Sequence, residues 1–263
     1  MPSESDPGIL EMPITENRMP RGLPLQVLPM FFFIHLPKTG GSSLNAALAR
    51  MFSPFAEFHQ TIAKNAGGDS KIQDLLSHNP DFYDDLLVVV GHYSFRHPLV
   101  QMTRRRRVIL SVLREPVSRI VSLYDYIRHR PDHPLHVELS GMSFLEAIRG
   151  HEAFRSNCNN TQLRSVFGTP EAETARRLLR RRNYVLGRFD HLERFLGAVE
   201  AISGLKRTAP LEHRNPRPPH IGVQPAIEQP DYTQAFEEVS ARNAEEIAFF
   251  STMPPLIVTT AST

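Results

Sequence analysis

Three short runs of hydrocarbon constrain this chain more than any other feature: MFFFIHL (30–36), LLVVVGH (86–92) and VILSVLR (108–114). None alternates polar with apolar, so none suits a sheet with one face in water. Unbroken runs of this length suit strands covered on both faces, the condition of a parallel sheet flanked by helices. YVLGRF (184–189) is a weaker fourth. Beyond a glycine turn, Leu44, Leu48 and Met51 recur at helical spacing; Val117, Ile120, Val121, Tyr124 and Ile127 do so behind Pro116, a residue suited to a first helical turn. This is the grammar of an α/β fold with a mostly parallel sheet. Further helices are expected over 143–150, 157–166, 170–182, 190–203 and 231–250.

Residues 1–29 combine proline, charge and small side chains without periodicity and read as a flexible or loosely packed N-terminal arm. Residues 30–263 suit a single α/β domain, since 41% hydrophobic residues in a chain of 263 supply a large core. The segment 208–230, with prolines at 210, 216, 218, 219, 225 and 230, is expected to be irregular. Cys158 is the only cysteine, which rules out an internal disulfide, and there is no CxxC or paired His/Cys spacing of a structural zinc site. The longest apolar run, LPMFFFIHLP, falls far short of the roughly 20 residues of a membrane span. Glu4, Asp6 and Glu11 stand where a signal peptide carries basic residues. A soluble, cytoplasmic protein is therefore expected.

In an open parallel sheet, ligands bind beyond the carboxyl ends of the strands, where the unpaired amides of helix starts also point. Three segments meet that description: Lys38 to Ser43, Gly91 to Phe95, and Arg114 to Ser122. In the first, Gly40 and Gly41 let the backbone approach an anion, and Lys38 with the hydroxyls of Thr39, Ser42 and Ser43 completes a donor set for phosphate or sulfate. A nucleotide-dependent phosphotransferase (kinase) is one reading. Its P-loop, however, places lysine after the last glycine, whereas Lys38 precedes both, and Glu115 is the only carboxylate at the tips of the apolar strands to hold Mg²⁺. His92, just past a strand end beside the cradle, suits a general base. His35 lies within the first strand and is expected to be packed; His59 and His97 are reserve candidates. A non-catalytic arginine-rich nucleic-acid-binding protein is a third reading. The net charge of +2 is small for it, and Arg104 to Arg107 and Arg176, Arg177, Arg180, Arg181 and Arg182 read as solvated clusters.

FIHLPKTGGSSL (33–44) resembles the 5′-phosphosulfate loop of the PAPS-dependent sulfotransferase superfamily, in particular its carbohydrate (heparan-sulfate-type) branch, and VILSVLREPVSRIVSLYDY (108–126) resembles its 3′-phosphate segment. NNTQLRSVFG (159–168) and VLGRFDHLERFL (185–196) are similar to later family segments, so the likeness covers roughly residues 30–200. It implies a P-loop-like three-layer fold, with a central mostly parallel sheet flanked by helices. It also implies sulfuryl transfer from 3′-phosphoadenosine 5′-phosphosulfate (PAPS), leaving 3′-phosphoadenosine 5′-phosphate (PAP), to an acceptor hydroxyl on a carbohydrate or glycoconjugate, with no metal and no nucleic acid. By the same resemblance, Lys38, Thr39, Gly40, Gly41, Ser42 and Ser43 hold the phosphosulfate, Arg114 and Ser122 the 3′-phosphate. His92 takes the acceptor proton and Lys38 stabilises the leaving phosphate. Animal members often carry a membrane anchor; a chain without an apolar span fits a bacterial-style soluble enzyme.

Overall fold

The computed structural model describes residues 25–211 and 224–260. Most of the proposed arm (1–24) and of the proline-rich segment (212–223) lie outside the described residues. Six strands form one sheet: β1 (Met30–Ile34), β2 (Ala56–Phe58), β3 (Val88–Gly91), β4 (Arg107–Leu113), β5 (Asn183–Arg188) and β6 (Leu256–Thr259). Their spatial order is β2-β3-β1-β4-β5-β6. All neighbouring pairs are parallel except β5 with β6, so the expected α/β class with a mostly parallel sheet holds. Two strands have no counterpart among the expected ones: β2 has only three residues, and β6 is an antiparallel edge.

The unbroken apolar runs are explained by what covers each face. Met30, Phe32 and Ile34 of β1 point to one core and Phe31 and Phe33 to the other, none more than 3% exposed. On the Phe31 face lie α1 (Gly41–Phe52) and, much later in the chain, the helix Leu192–Ser203. On the Phe32 face lie α2 (His59–Ala66), α3 (Ile72–His78), the single turn α4 (Pro98–Gln101), and later helices. Helix α5 (Pro116–Arg128) starts a third core with α6 (His136–Ser140), α7 (Phe144–Gly150) and α8 (Glu152–Arg155). Then come α9 (Thr161–Phe167), α10 (Ala172–Leu179), α11 (Leu192–Ser203), α12 (Tyr232–Arg242), which closes the third core, and α13 (Ala244–Ser251). No helix among the described residues is long and apolar enough to cross a membrane.

Two expected helices are divided for local reasons. The stretch 157–166 is interrupted at Asn160, whose backbone is left-handed (φ 49°), a conformation asparagine tolerates better than most residues. The stretch 231–250 breaks at Asn243. Its Nδ2 donates to the Val239 carbonyl and its Oδ1 accepts the Asn160 amide, so a side chain takes over at the point where helix would continue.

The sheet order fixes where a ligand can sit. The chain passes from β1 to β2 and β3 on one side, then crosses to β4 on the other, so the topological switch flanks β1. The tips of β3, β1 and β4 are neighbours there. They end in Gly91–His92, His35–Gly40 and Arg114.

Candidate functional site

The loop between β1 and α1 is held in an unusual conformation. Lys38 (φ 69°) and Gly40 (φ 80°) both adopt left-handed backbone. For lysine this costs of order 1–2 kcal/mol, a strain that persists only where the surroundings enforce it. Thr39 between them is fully buried, and its hydroxyl donates to the Leu36 carbonyl (2.9 Å), bracing the turn from inside. Gly41 opens α1. A side chain there would have to push the His35 ring out of its place, because a Cβ would lie 1.6 Å from its Nε2. The second glycine therefore exists to let the His35 ring lie against the helix start, while the first allows the turn. Ser42 is exposed and Ser43 half-buried on the opening turn of α1, where amides and dipole favour an anion.

Arg114, at the tip of β4, reaches this loop directly: its Nη1 donates to the Lys38 carbonyl at 3.1 Å. Its guanidinium lies over the Phe189 ring, 4.7 Å from the centroid. Phe189 also approaches Gly40, and with Leu192 and Leu211 lines a cleft of about 310 Å³ beside the loop. On α5, the stripe Ser118, Ser122 and Tyr126 stands outside the buried set. The ammonium of Lys38 lies over the Tyr126 ring at 4.0 Å, so the β1–α1 loop leans onto the stripe that carries Ser122. Lys38, Arg114 and the open face of α5 thus share one site.

His92 is fixed from the same strand. Its Nδ1 contacts the His35 carbonyl at 3.0 Å, and since a carbonyl only accepts, Nδ1 carries the proton and the neutral ring keeps its lone pair on Nε2. The two rings stack at 4.0 Å. His35 is buried, as expected, with Nδ1 facing Asn45 Nδ2 at 3.1 Å. Burial and the neighbouring His92 hold its pKa at about 3. The His92 pKa is also lowered, chiefly by partial burial and also by His59, against the opposing bond to the His35 carbonyl. Both rings are therefore neutral at neutral pH, and His92 offers an acceptor nitrogen at the partly exposed tip of β3.

The reserve histidines lie next to this tip but are engaged with another partner. His59 and His97 both direct Nε2 to one oxygen of Asp69, at 2.6 and 3.1 Å, and surround Tyr93. Glu115 is a helix cap: its two carboxylate oxygens accept from the Val117 and Ser118 amides at 3.0 and 2.6 Å. A group so engaged is poorly disposed to hold Mg²⁺.

A buried bracket behind Arg114 was not legible in the sequence. Gln162 clasps the Arg114 peptide, its Oε1 accepting from the amide at 3.0 Å and its Nε2 donating to the carbonyl at 2.8 Å. Gln162 Nε2 also donates to Glu246, whose carboxylate accepts the Gln162 amide in the first turn of α9. In return, Asn160 Oδ1 accepts the Glu246 amide in the first turn of α13. The two helix starts thereby cap each other. Glu246 is buried, and the buried Arg119 guanidinium lies within reach of its charge. The segment NNTQ carried the only signal, since its polar residues open a helix; partners more than 80 residues away did not. Asn45, Tyr126 and Phe189 likewise carry no distinguishing signal in the sequence.

The arginine clusters divide. Arg104 and Arg106 are exposed, as expected, but Arg105 donates to the Leu28, Tyr83 and Leu86 carbonyls at the opposite end of the sheet, a clasp rather than a solvated charge. Arg176 donates to the Ala248 carbonyl and tethers α10 to α13.

No protein-family model and no curated protein matches the chain. Among solved structures it is similar to a sulfotransferase from Alicyclobacillus acidocaldarius, with 17% identity over 84% of this chain and 96% of that one and a TM-score of 0.45. It is also similar to mouse sulfotransferase SULT7A1 complexed with PAP, with 11% identity over 85% of this chain and 87% of that one and a TM-score of 0.43. Likeness at this level leaves the functional reading to the residues of the site.

Proposed function

We propose that this chain is a sulfotransferase that moves the sulfuryl group of PAPS to an acceptor hydroxyl on a carbohydrate. The observation that carries the reading is the direct bond from Arg114 to the Lys38 carbonyl, which puts the strand-tip arginine and the strained lysine–glycine loop within one ligand's span. The residues present fit a nucleotide with charge at two ends. Lys38, the amides opening α1, Ser42 and Ser43 would hold the phosphosulfate; Arg114 and Ser122 would hold the 3′-phosphate. The carbohydrate acceptor follows from the resemblance of FIHLPKTGGSSL to that branch of the superfamily.

In the reaction, His92 Nε2 takes the proton of the acceptor hydroxyl as its oxygen bonds to sulfur. The bond from sulfur to the bridging phosphate oxygen breaks, and PAP leaves with the electron pair. Lys38 and the α1 amides stabilise the charge developing on that oxygen. The lone pair His92 needs is on the correct nitrogen because the His35 carbonyl fixes its other proton. Against a phosphotransferase stand the position of Lys38 before both glycines and the engagement of both Glu115 oxygens.

Product formation from a panel of hydroxylated sugars, compared with labelled PAPS and with labelled ATP plus Mg²⁺, tests the proposal. Label should pass from PAPS alone, and Lys38→Ala should impair both nucleotide binding and turnover. Transfer from ATP, or an unimpaired Lys38→Ala enzyme, would contradict it.

A further inference from the structure

Three metal-ligating side chains that the proposed reaction does not use converge at the β2 edge of the sheet. His59 opens α2, Asp69 follows the glycine pair Gly67–Gly68, and His97 precedes α4. One nitrogen from each histidine and one Asp69 oxygen all lie within 4.8 Å of one another. The two rings are nearly buried, with side chains 10% and 12% exposed, while the carboxylate is 60% exposed. We infer that His59, Asp69 and His97 form a binding site for a divalent transition-metal ion, zinc being the probe of choice.

The donor set selects the ion class. Two imidazoles and one carboxylate suit zinc and its first-row neighbours, whereas Mg²⁺ and Ca²⁺ seek oxygen. The spacing is that of a site drawn together by protons. His59 Nε2 and His97 Nε2 stand 2.6 and 3.1 Å from the shared oxygen, and ligands about 2.1 Å from a tetrahedral zinc are about 3.4 Å apart, so opening by less than 1 Å admits the ion. Gly67 and Gly68 (φ 84° and 130°) place Asp69; their amides are held by the Lys64 and Ala63 carbonyls, so the opening falls to the exposed Asp69 side chain, which has open space around it. The exposed side of Asp69 leaves room for water as a further ligand.

Both histidines have something at stake in the exchange. As free rings they donate from Nε2 to Asp69, which leaves His59 Nδ1 buried with no hydrogen-bond partner. His97 Nδ1 accepts from the Leu99 amide at 3.2 Å as the cap of α4. Coordination through Nε2 moves the His97 proton to Nδ1 and breaks that cap, a penalty of about fivefold in affinity. The Leu99 amide therefore reports metal binding at this histidine. His59 meets Gly91 so closely that a Cβ on residue 91 would lie 2.5 Å from the His59 Cβ, which places the ion beside the tip of β3 but on ligands distinct from His92.

The test is titration of the EDTA-dialysed full chain with Co²⁺, followed by displacement with ZnCl₂. One equivalent of Co²⁺ should give a saturable visible absorption band that Zn²⁺ removes, and ZnCl₂ should shift the Leu99 amide resonance and raise the melting temperature. Asp69→Asn, a change at an exposed side chain, should weaken binding at least about 100-fold, as should His97→Ala. Glu138→Gln, which alters the separate His151–Glu138 pair, should leave it unchanged. No saturable band at millimolar Co²⁺, or equal binding by wild type and Asp69→Asn, would reduce the cluster to a hydrogen-bonded ion pair and overturn the assignment.

Discussion

At the scale of single residues, the proposed mechanism rests on a histidine pair. His92 presents Nε2, and His35 holds it through a carbonyl and a stacked ring. His92→Ala should reduce turnover by about 10² to 10⁴ while leaving PAP affinity near wild type, because general-base catalysis has that size and His92 is no part of the proposed anion cradle. Since the His92 pKa is lowered, wild-type rate should hold through neutral pH and fall only on acidification below 6.5, as Nε2 takes a proton; the pH–rate profile of the variant should lack that limb. His35 makes a separate stability prediction. Its folded pKa of about 3 lies below the usual 6.5, so between those values the unfolded chain holds the extra proton. The stability this neutral ring contributes is complete above pH 6.5 and is lost as pH falls, at up to ~1.4 kcal/mol per pH unit. Urea melts at pH 7 and pH 5 should show a smaller difference for His35→Gln than for wild type; equal differences would mean His35 titrates normally. The lysine, glycines and His92 were legible because each is an odd residue at a strand end. Asn45 and the direction of the His92 proton were not: the first depends on how α1 turns back onto the end of β1, the second on the β1–β3 register.

At the scale of elements, the parallel strands declared themselves by hydrocarbon without alternation, and their helices by period. The breaks at Asn160 and Asn243 did not, because the helix starts that follow them are capped by residues far along the chain. Glu246 ends the freedom of α9, and Asn160 that of α13. The same network grips the Arg114 peptide through Gln162, so it positions a proposed ligand group without facing the ligand. Gln162→Ala should weaken PAP binding about tenfold or more with its folded spectrum retained, measured by calorimetry and circular dichroism. Glu246→Ala, which leaves buried amide donors and Arg119 uncompensated, should cost about 3 kcal/mol or more in a denaturant melt. A loss below 1 kcal/mol would mean that the bracket is dispensable. β6 and β2 escaped the sequence reading for a simpler reason: a three-residue strand and an antiparallel edge lack the length or the setting that makes the central strands conspicuous.

At the scale of the molecule, the sheet serves to bring three tips to one place. The order β3-β1-β4 makes Lys38, His92 and Arg114 neighbours although they are far apart in the chain, which is what the proposed cradle, general base and 3′-phosphate arginine require. The third core, built on α5, α7 and α12, supports the face of α5 that carries Ser122, and nothing in local periodicity announced it. Within the basic clusters, Arg105 and Arg176 are bonded to backbone carbonyls and serve the architecture, while Arg104, Arg106, Arg177, Arg180 and Arg181 stay exposed. The central claim is that Lys38 and Arg114 hold opposite ends of one nucleotide. Calorimetric affinities of wild type, Lys38→Ala and Arg114→Ala for PAP and for 5′-AMP test it most directly. PAP should bind wild type at least about 100-fold more tightly than 5′-AMP, Arg114→Ala should abolish most of that preference, and Lys38→Ala should weaken both ligands alike. Equal affinity of the wild type for the two nucleotides, or a preference that survives Arg114→Ala, would contradict it.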